Sequence, residues 1–143
     1  MKIVVIDGQG GRMGRVLIEQ LMERGIDKKA ELIAVGTNGI ATAAMMKAGA
    51  QFGATGENPV IVACRDADVI IGPIGIVVAD SLLGEVTPAM ALAIGQSRAK
   101  KLLLPVSRCN TVVVGVKALP MADLVRECVD QVMHMLPEDP VFL

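Results

Sequence analysis

From Val4 to Arg15 the chain reads Val-Val-Ile-Asp-Gly-Gln-Gly-Gly-Arg-Met-Gly-Arg. Gly8, Gly11 and Gly14 follow a β-branched apolar run and open a helical pattern, the setting in which a glycine fingerprint binds phosphate. Gly8 permits the tight turn that leaves the strand. Gly10 or Gly11 lets backbone N–H groups approach a phosphate with no Cβ in the way, and Gly14 lets the helix pack closely on a sheet. Gln9, Arg12 and Met13 lie inside the loop, where a helix N-terminus offers unpaired N–H groups and the positive end of a dipole to an anion. Asp7 either belongs to this site or orders the loop by accepting backbone N–H bonds. The motif is not a P-loop, because no Gly-Lys-Ser/Thr ending exists.

A dinucleotide site calls for an acid (NAD) or an Arg (NADP) at the end of the second strand. That place holds Gly36, Thr37 and Asn38, which carry no charge. Thr37 and Asn38 suit hydrogen bonds to a ribose or base, or the capping of the next helix. The expected cofactor is therefore NAD or NADP with poor discrimination between them, or a mononucleotide. Gly72, Pro73 and Gly75 follow a later strand, and Arg108 and Asn110 flank Cys109 after another. Arg108 has the bidentate fork that fits a phosphate or carboxylate; its other role is a turn residue facing water. Asp80 and Glu85 are candidates for an acid/base pair, or for capping and solvating a turn. Residues 53–58 read as a small flexible loop, a lid or a connection.

Positioning these residues takes strands that alternate with helices. Lys2–Ile6 is an apolar run of the kind buried on both faces of a parallel sheet. Met13, Leu17 and Leu21, with Ile18 and Met22, give the next helix an apolar face, and Gly25 stops it. A strand over 31–35 and an Asn38-capped helix over 40–48 follow. Asn58-Pro59 predicts a helix over 59–65, and 68–72 is a strand. The segment to Leu83 is predicted helical, as is 87–99 behind Thr87-Pro88. Strands at 101–106 and 111–116, joined by a short connection, predict an antiparallel hairpin. Leu124, Cys128, Val132 and Leu136 mark a last helix over 120–136. The expectation is an α/β fold: a single Rossmann-like, three-layer domain over residues 1–143, its sheet mostly parallel with a C-terminal antiparallel hairpin.

Composition narrows the function. The 143 residues carry 14 basic and 15 acidic side chains for a net charge of −1, which argues against a nucleic-acid footprint. Neither Trp nor Tyr occurs and Phe is found twice, so aromatic stacking of bases has little to work with. The longest uncharged stretch, 32–46, is shorter than the ~18 apolar residues of a membrane span. No signal peptide is expected ahead of the first strand, and Cys64, Cys109 and Cys128 show neither metal-ligand spacing nor an even count, so a reducing cytoplasm is expected. With 52% hydrophobic and 20% charged residues, a homo-oligomer is expected, most simply a two-fold dimer. Residues 89–95 and 132–136, rich in Ala and Met, could supply its interface or fill the core.

The Gly8-x-x-Gly11-x-x-Gly14 spacing, with Arg12-Met13 inside and Arg15 after, resembles the nucleotide loop of dihydrodipicolinate reductases over about a dozen residues. A wider likeness is carried by Gly8–Gly11, Ala34–Asn38, Ala54–Asn58, Gly72–Ile76, Ala79–Pro88 and Arg108–Asn110, in that order. Together these resemble, over essentially the full length, small bacterial proteins grouped as domain of unknown function 3842. That resemblance implies a compact Rossmann-like fold and no particular activity. Two functions follow from the residues: a nucleotide- or phosphate-binding protein using an anionic small-molecule ligand, or a non-catalytic metabolite sensor or assembly module. The chain offers no Ser–His–Asp set, and its single histidine, His134, sits in the last helix.

Overall fold

The computed structural model describes residues 1–106 and 110–138. Five strands, β1 (Lys2–Asp7), β2 (Glu31–Gly36), β3 (Phe52–Thr55), β4 (Val69–Pro73) and β5 (Lys100–Leu104), form one sheet in the order β3-β2-β1-β4-β5. Every pairing is parallel, with Lys2 opposite Glu31 and Asp7 opposite Gly36 across β1 and β2, and Ile3 opposite Val69 across β1 and β4. The chain winds outward from β1 to one side and then returns to begin β4 on the other. The carboxyl ends of β1 and β4 therefore bound the crevice where strand order reverses, the general ligand position in such sheets.

Alternation along each strand splits the core in two. Ile3, Val5, Leu32, Ala34, Val69 and Ile71 face the helices α1 (Arg12–Glu23), α2 (Gly39–Lys47) and α5 (Met121–Met135), burying Leu17, Ile18, Met45, Val125 and Val132. Val4, Ile6, Val35 and Ile70 face α3 (Glu57–Cys64) and α4 (Pro88–Gln96), burying Val60, Met90 and Ile94. These are the three layers expected of buried parallel strands. Local signals hold at several ends. Gly25 takes a φ of 74° after α1, the Asn38 side chain accepts the Ala41 N–H, and Thr87 accepts the Met90 N–H ahead of Pro88.

Four expectations are corrected. The antiparallel hairpin is not seen: β5 joins the sheet in parallel, and residues 110–120 form no strand. Val112 and Val114 are 87% and 93% exposed and Gly115 turns the chain at a φ of 86°, so strand propensity there meets no partner edge. Phe52–Thr55, read as part of a loop, is an edge strand on β2; its glycine gave no apolar alternation because α2 packs directly on it, with a Cβ at Gly53 only 2.5 Å from Met46 Sδ. The segment to Leu83 is a 3₁₀ turn, Ile74–Val77, followed by tight turns, since Asp80, Leu82 and Leu83 have φ of 67°, 55° and 55° and no helix accommodates them. Helix α3 starts at Glu57 behind Gly56, so Asn58 is inside it and Pro59 sits in the first turn, where its missing N–H costs nothing.

The Ala- and Met-rich segments turn one side to the interior and leave the other, with Leu92 59% exposed, at the surface. Met90 and Ile94 lie in one core, Val132 and Leu136 in the other, and Met133 and Met135 pack against the latter. Among the described residues, no helix is long and apolar enough to cross a membrane. Cys64 and Cys128 are buried thiols on opposite faces of the sheet, and burial pushes them up to about 11 and about 12.

Gly72 shows how tightly β1 and β4 meet. A Cβ there would fall against the Ile6 carbonyl oxygen and 2.8 Å from Ile76 Cδ1, and the first of these is backbone that cannot swing aside. Gly72→Ala is expected to cost about 1–3 kcal/mol through overpacking; urea unfolding of variant and parent measures it.

Candidate functional site at the carboxyl ends of β1 and β4

The glycine loop is built around one buried carboxylate. Asp7, 6% exposed at the end of β1, accepts the Gly8 N–H on Oδ1 at 2.8 Å and the Gly14 N–H on Oδ2 at 2.7 Å. It thereby ties the end of the strand to the first turn of α1. Gly11 N–H bonds back to the Gly8 carbonyl at 2.9 Å, and Gly11 itself takes a φ of 71° as the N-cap of α1. Gly14 allows the close helix–sheet approach: a Cβ on it would lie 2.5 Å from Met45 Sδ and 3.0 Å from Asp7 Cβ. Burial pushes the Asp7 carboxyl up, its two N–H bonds draw it down, and the charge of nearby Glu85 pushes it up again, for a net rise.

Once these bonds are made, the N–H groups of Gly10, Arg12 and Met13 have no partner among the described residues. They border a cleft of about 380 Å³ lined by Asp7 to Met13 along the loop, by Pro73 and Gly75 after β4, and by Leu82, Val106 and Met121. Arg12 is exposed on its rim with no ion-pair partner among the described residues. The cleft stands at the β1/β4 crevice, and its volume falls at the low end of the roughly 300–1,000 Å³ typical of small-molecule sites.

Glu85 organises the β2 side of the loop. Its Oε1 accepts the Gln9 N–H at 2.9 Å, the Thr37 hydroxyl at 2.8 Å and the Asn38 amide at 2.6 Å. The Asn38 amide also donates to the Gln9 carbonyl at 2.9 Å. Burial acts to raise the Glu85 carboxyl, but the Gln9, Asn38 and Thr37 bonds outweigh it, and the group is held below the ordinary value of 4.5. An acid does reach the end of β2, then, although no acid follows β2 in sequence. It is supplied by the turns after β4. No hydrogen bond joins it to Asp80, whose backbone N–H instead bonds the Val86 carbonyl at 2.7 Å.

Of the residues singled out from sequence, Asp7, Gly8, Gln9, Gly10, Gly11, Arg12, Met13, Pro73 and Gly75 come together around the cleft. Gly14 lies behind it against Met45, and Gly72 lies within the sheet against β1. Thr37 and Asn38 adjoin the loop but spend their side chains on Glu85, Gln9 and the cap of α2. Asn110 is exposed and does not line the cleft; Arg108 lies outside the described residues. Leu82, Val106 and Met121 had no sequence signal as cleft walls. Glu85 had one, its place in a polar cluster, but with the wrong partner. Among the described residues no group of three or more His, Cys, Asp or Glu side chains could hold a metal ion.

The family described as domain of unknown function (DUF3842) matches residues 2–137. Among solved structures, the dodecameric FMN-dependent Ubix-like decarboxylase from Escherichia coli O157:H7 is similar over 99% of this chain and 100% of its own, at 16% identity and a TM-score of 0.48. No curated protein matches the chain. The likeness to dihydrodipicolinate reductases finds no support there and stays confined to the glycine spacing.

The clasp on Glu85 needs an ionised acceptor facing three donors. Because its folded pKa lies below 4.5, its contribution to stability is fully present above about that pH and is lost as pH falls through the lower folded value. Glu85→Gln, which does not titrate, should therefore differ most from the parent at neutral pH. The gap in unfolding free energy should close below about pH 4.5, as read from urea denaturation across the acid range.

Proposed function

We propose that this chain, which belongs to the DUF3842 family, binds a phosphate-bearing small molecule on the loop from Gly8 to Gly14. The observation that carries the reading is the set of N–H groups at Gly10, Arg12 and Met13, without a partner among the described residues, beside a cleft at the strand-order reversal. Backbone donors at the start of a twelve-residue helix receive an anion without reorganising, aided by the helix dipole. The Arg12 guanidinium can close on the same oxygens in a two-pronged fashion. Asp7 fixes the donors from behind; its carboxylate is committed to Gly8 and Gly14 and does not meet the ligand. The apolar walls from Pro73, Leu82, Val106 and Met121 suit the organic part of the molecule. The reading is one of binding, in a reducing cytoplasm that suits the free Cys64 and Cys128.

Gly10 is where binding and folding separate. A Cβ on Gly11 would come within 2.7 Å of Ala41 Cα at a positive φ, so a side chain there attacks the fold, whereas a Cβ on Gly10 meets nothing within 4 Å. Gly10→Val should keep the far-UV circular dichroism of the parent and weaken inorganic phosphate binding at least tenfold by calorimetry. Equal binding by the two proteins would remove the loop from the site.

We further propose that the chain is a homo-oligomer. Met90, Ile94, Val132 and Leu136 of the Ala- and Met-rich segments are spent on the core, and the exposed valines Val112 and Val114 support the reading, together with the apolar groove of Ile74, Val106, Val116 and Leu119 beside them. An apolar run of this kind is unusual on a monomer surface. Sedimentation equilibrium at micromolar concentration should give a multiple of 15.0 kDa. Val112→Asp combined with Val114→Asp should shift it to the monomer; a parent that is already monomeric ends the proposal.

A further inference from the structure

The turns between β4 and α4 run across the top of the glycine loop. Leu82 packs over Gly8, so that a Cβ on Gly8 would lie 2.8 Å from Leu82 Cδ1, 2.5 Å from Thr37 Oγ1 and 3.2 Å from Glu85 Oε1. The segment is braced within itself: Asp80 N–H to the Val86 carbonyl at 2.7 Å, Gly84 N–H to Asp80 at 3.1 Å, Val86 N–H to Ser81 at 3.2 Å, and the Ser81 hydroxyl to the Gly75 carbonyl. It holds Asp80, Leu82 and Leu83 at positive φ, conformations that persist only where the surroundings over-determine them and that gather at ligand clamps and active sites. Leu83 is 96% exposed, so burial of its side chain does not repay its conformation.

A dinucleotide on a sheet of this type lies across the reversal point, its pyrophosphate on the glycine loop and one ribose at the carboxyl end of β2. Here the donors of that second half are taken. The Gln9 N–H, Thr37 hydroxyl and Asn38 amide all give their hydrogen bonds to one oxygen of Glu85. A ligand entering there has to displace a carboxylate from three donors and Leu82 from Gly8. It also meets the Glu85 charge, which repels a second phosphate. The space that remains is the cleft of about 380 Å³ on the β4 side.

We infer that residues 78–86 form a fixed wall, pinned by Glu85, that closes the β2 side of the loop and restricts the site to a compact phosphate monoester, excluding dinucleotides. This rests on the anion reading given above and narrows it. The phosphate takes the N–H groups of Gly10, Arg12 and Met13, and a body of about pentose size occupies the cleft between Pro73, Leu82, Val106 and Met121. Selection comes from the protein's own carboxylate, which stands where the rest of a longer ligand would lie.

The test is calorimetric titration of the full chain with inorganic phosphate, ribose 5-phosphate and NAD. Phosphate and ribose 5-phosphate should compete for one site, and NAD should bind at least tenfold more weakly than ribose 5-phosphate. NAD within tenfold of ribose 5-phosphate overturns the wall and leaves the anion reading standing, as does phosphate binding without ribose 5-phosphate. Absence of binding by all three overturns both. Glu85→Ala, checked for its fold by circular dichroism, should raise NAD affinity at least tenfold. Leu82→Gly removes the side chain over Gly8 and relieves a positive φ, and it should do the same if Glu85→Ala does not fold. A folded variant of either kind with unchanged NAD affinity also sinks the wall.

Discussion

Asp7 buries a carboxylate at the one point where strand, turn and helix meet, and it does so by accepting an N–H from each end of the glycine loop. A charge in that position is costly unless its lone pairs are filled. Two backbone donors, 2.8 and 2.7 Å away, fill them. The geometry of everything above follows from that requirement. Gly8 must turn at once, Gly14 must bring the helix within reach of the carboxylate, and Gly11 must adopt a left-handed conformation between them. The donors not consumed by Asp7 are then left at the helix start, facing the crevice.

A second carboxylate works from the opposite side. Glu85 takes the Gln9 N–H and draws Thr37 and Asn38 onto the loop, so the end of β2 is tied to the turns after β4 over the top of β1. The two carboxyls are shifted in opposite directions because their surroundings differ. Asp7 is deep enough that desolvation wins over two bonds, whereas Glu85 is shallow enough that three bonds win over desolvation. Between them the loop is held in one shape before any ligand arrives, which is the condition under which backbone donors bind an anion without loss to reorganisation.

Packing separates what is structural from what is available. The sheet buries both faces under helices, and the Ala- and Met-rich stretches give Met90, Ile94, Val132 and Leu136 to the interior. The apolar surface left over includes the segment after β5, around Val112 and Val114, and Leu83 in the turns that carry Glu85. Both places border the cleft region, one through Val106 and Met121, the other through Leu82.

The sequence by itself determined the parts whose physics is local. The run Lys2–Ile6, the glycine spacing and the amphipathic face of α1 specify strand, turn and helix within a few residues of one another. Asn38, Thr87-Pro88 and Gly25 act as caps and stops through bonds to near neighbours. From these the alternating α/β order and the position of the glycine loop were legible. Long-range contacts decided the rest. Phe52–Thr55 is a strand only because the edge of β2 accepts it, and the valines at 112–114 are not a strand because no edge does. Leu82 and Leu83 adopt backbone angles that their residue type disfavours, so no propensity could point to them. Glu85 reaches the glycine loop from 76 residues away in the chain. An acid missing after β2 in sequence is present there in space, because hydrogen bonding is satisfied by whichever group the fold brings within 3 Å or so, not by the group that comes next in the chain.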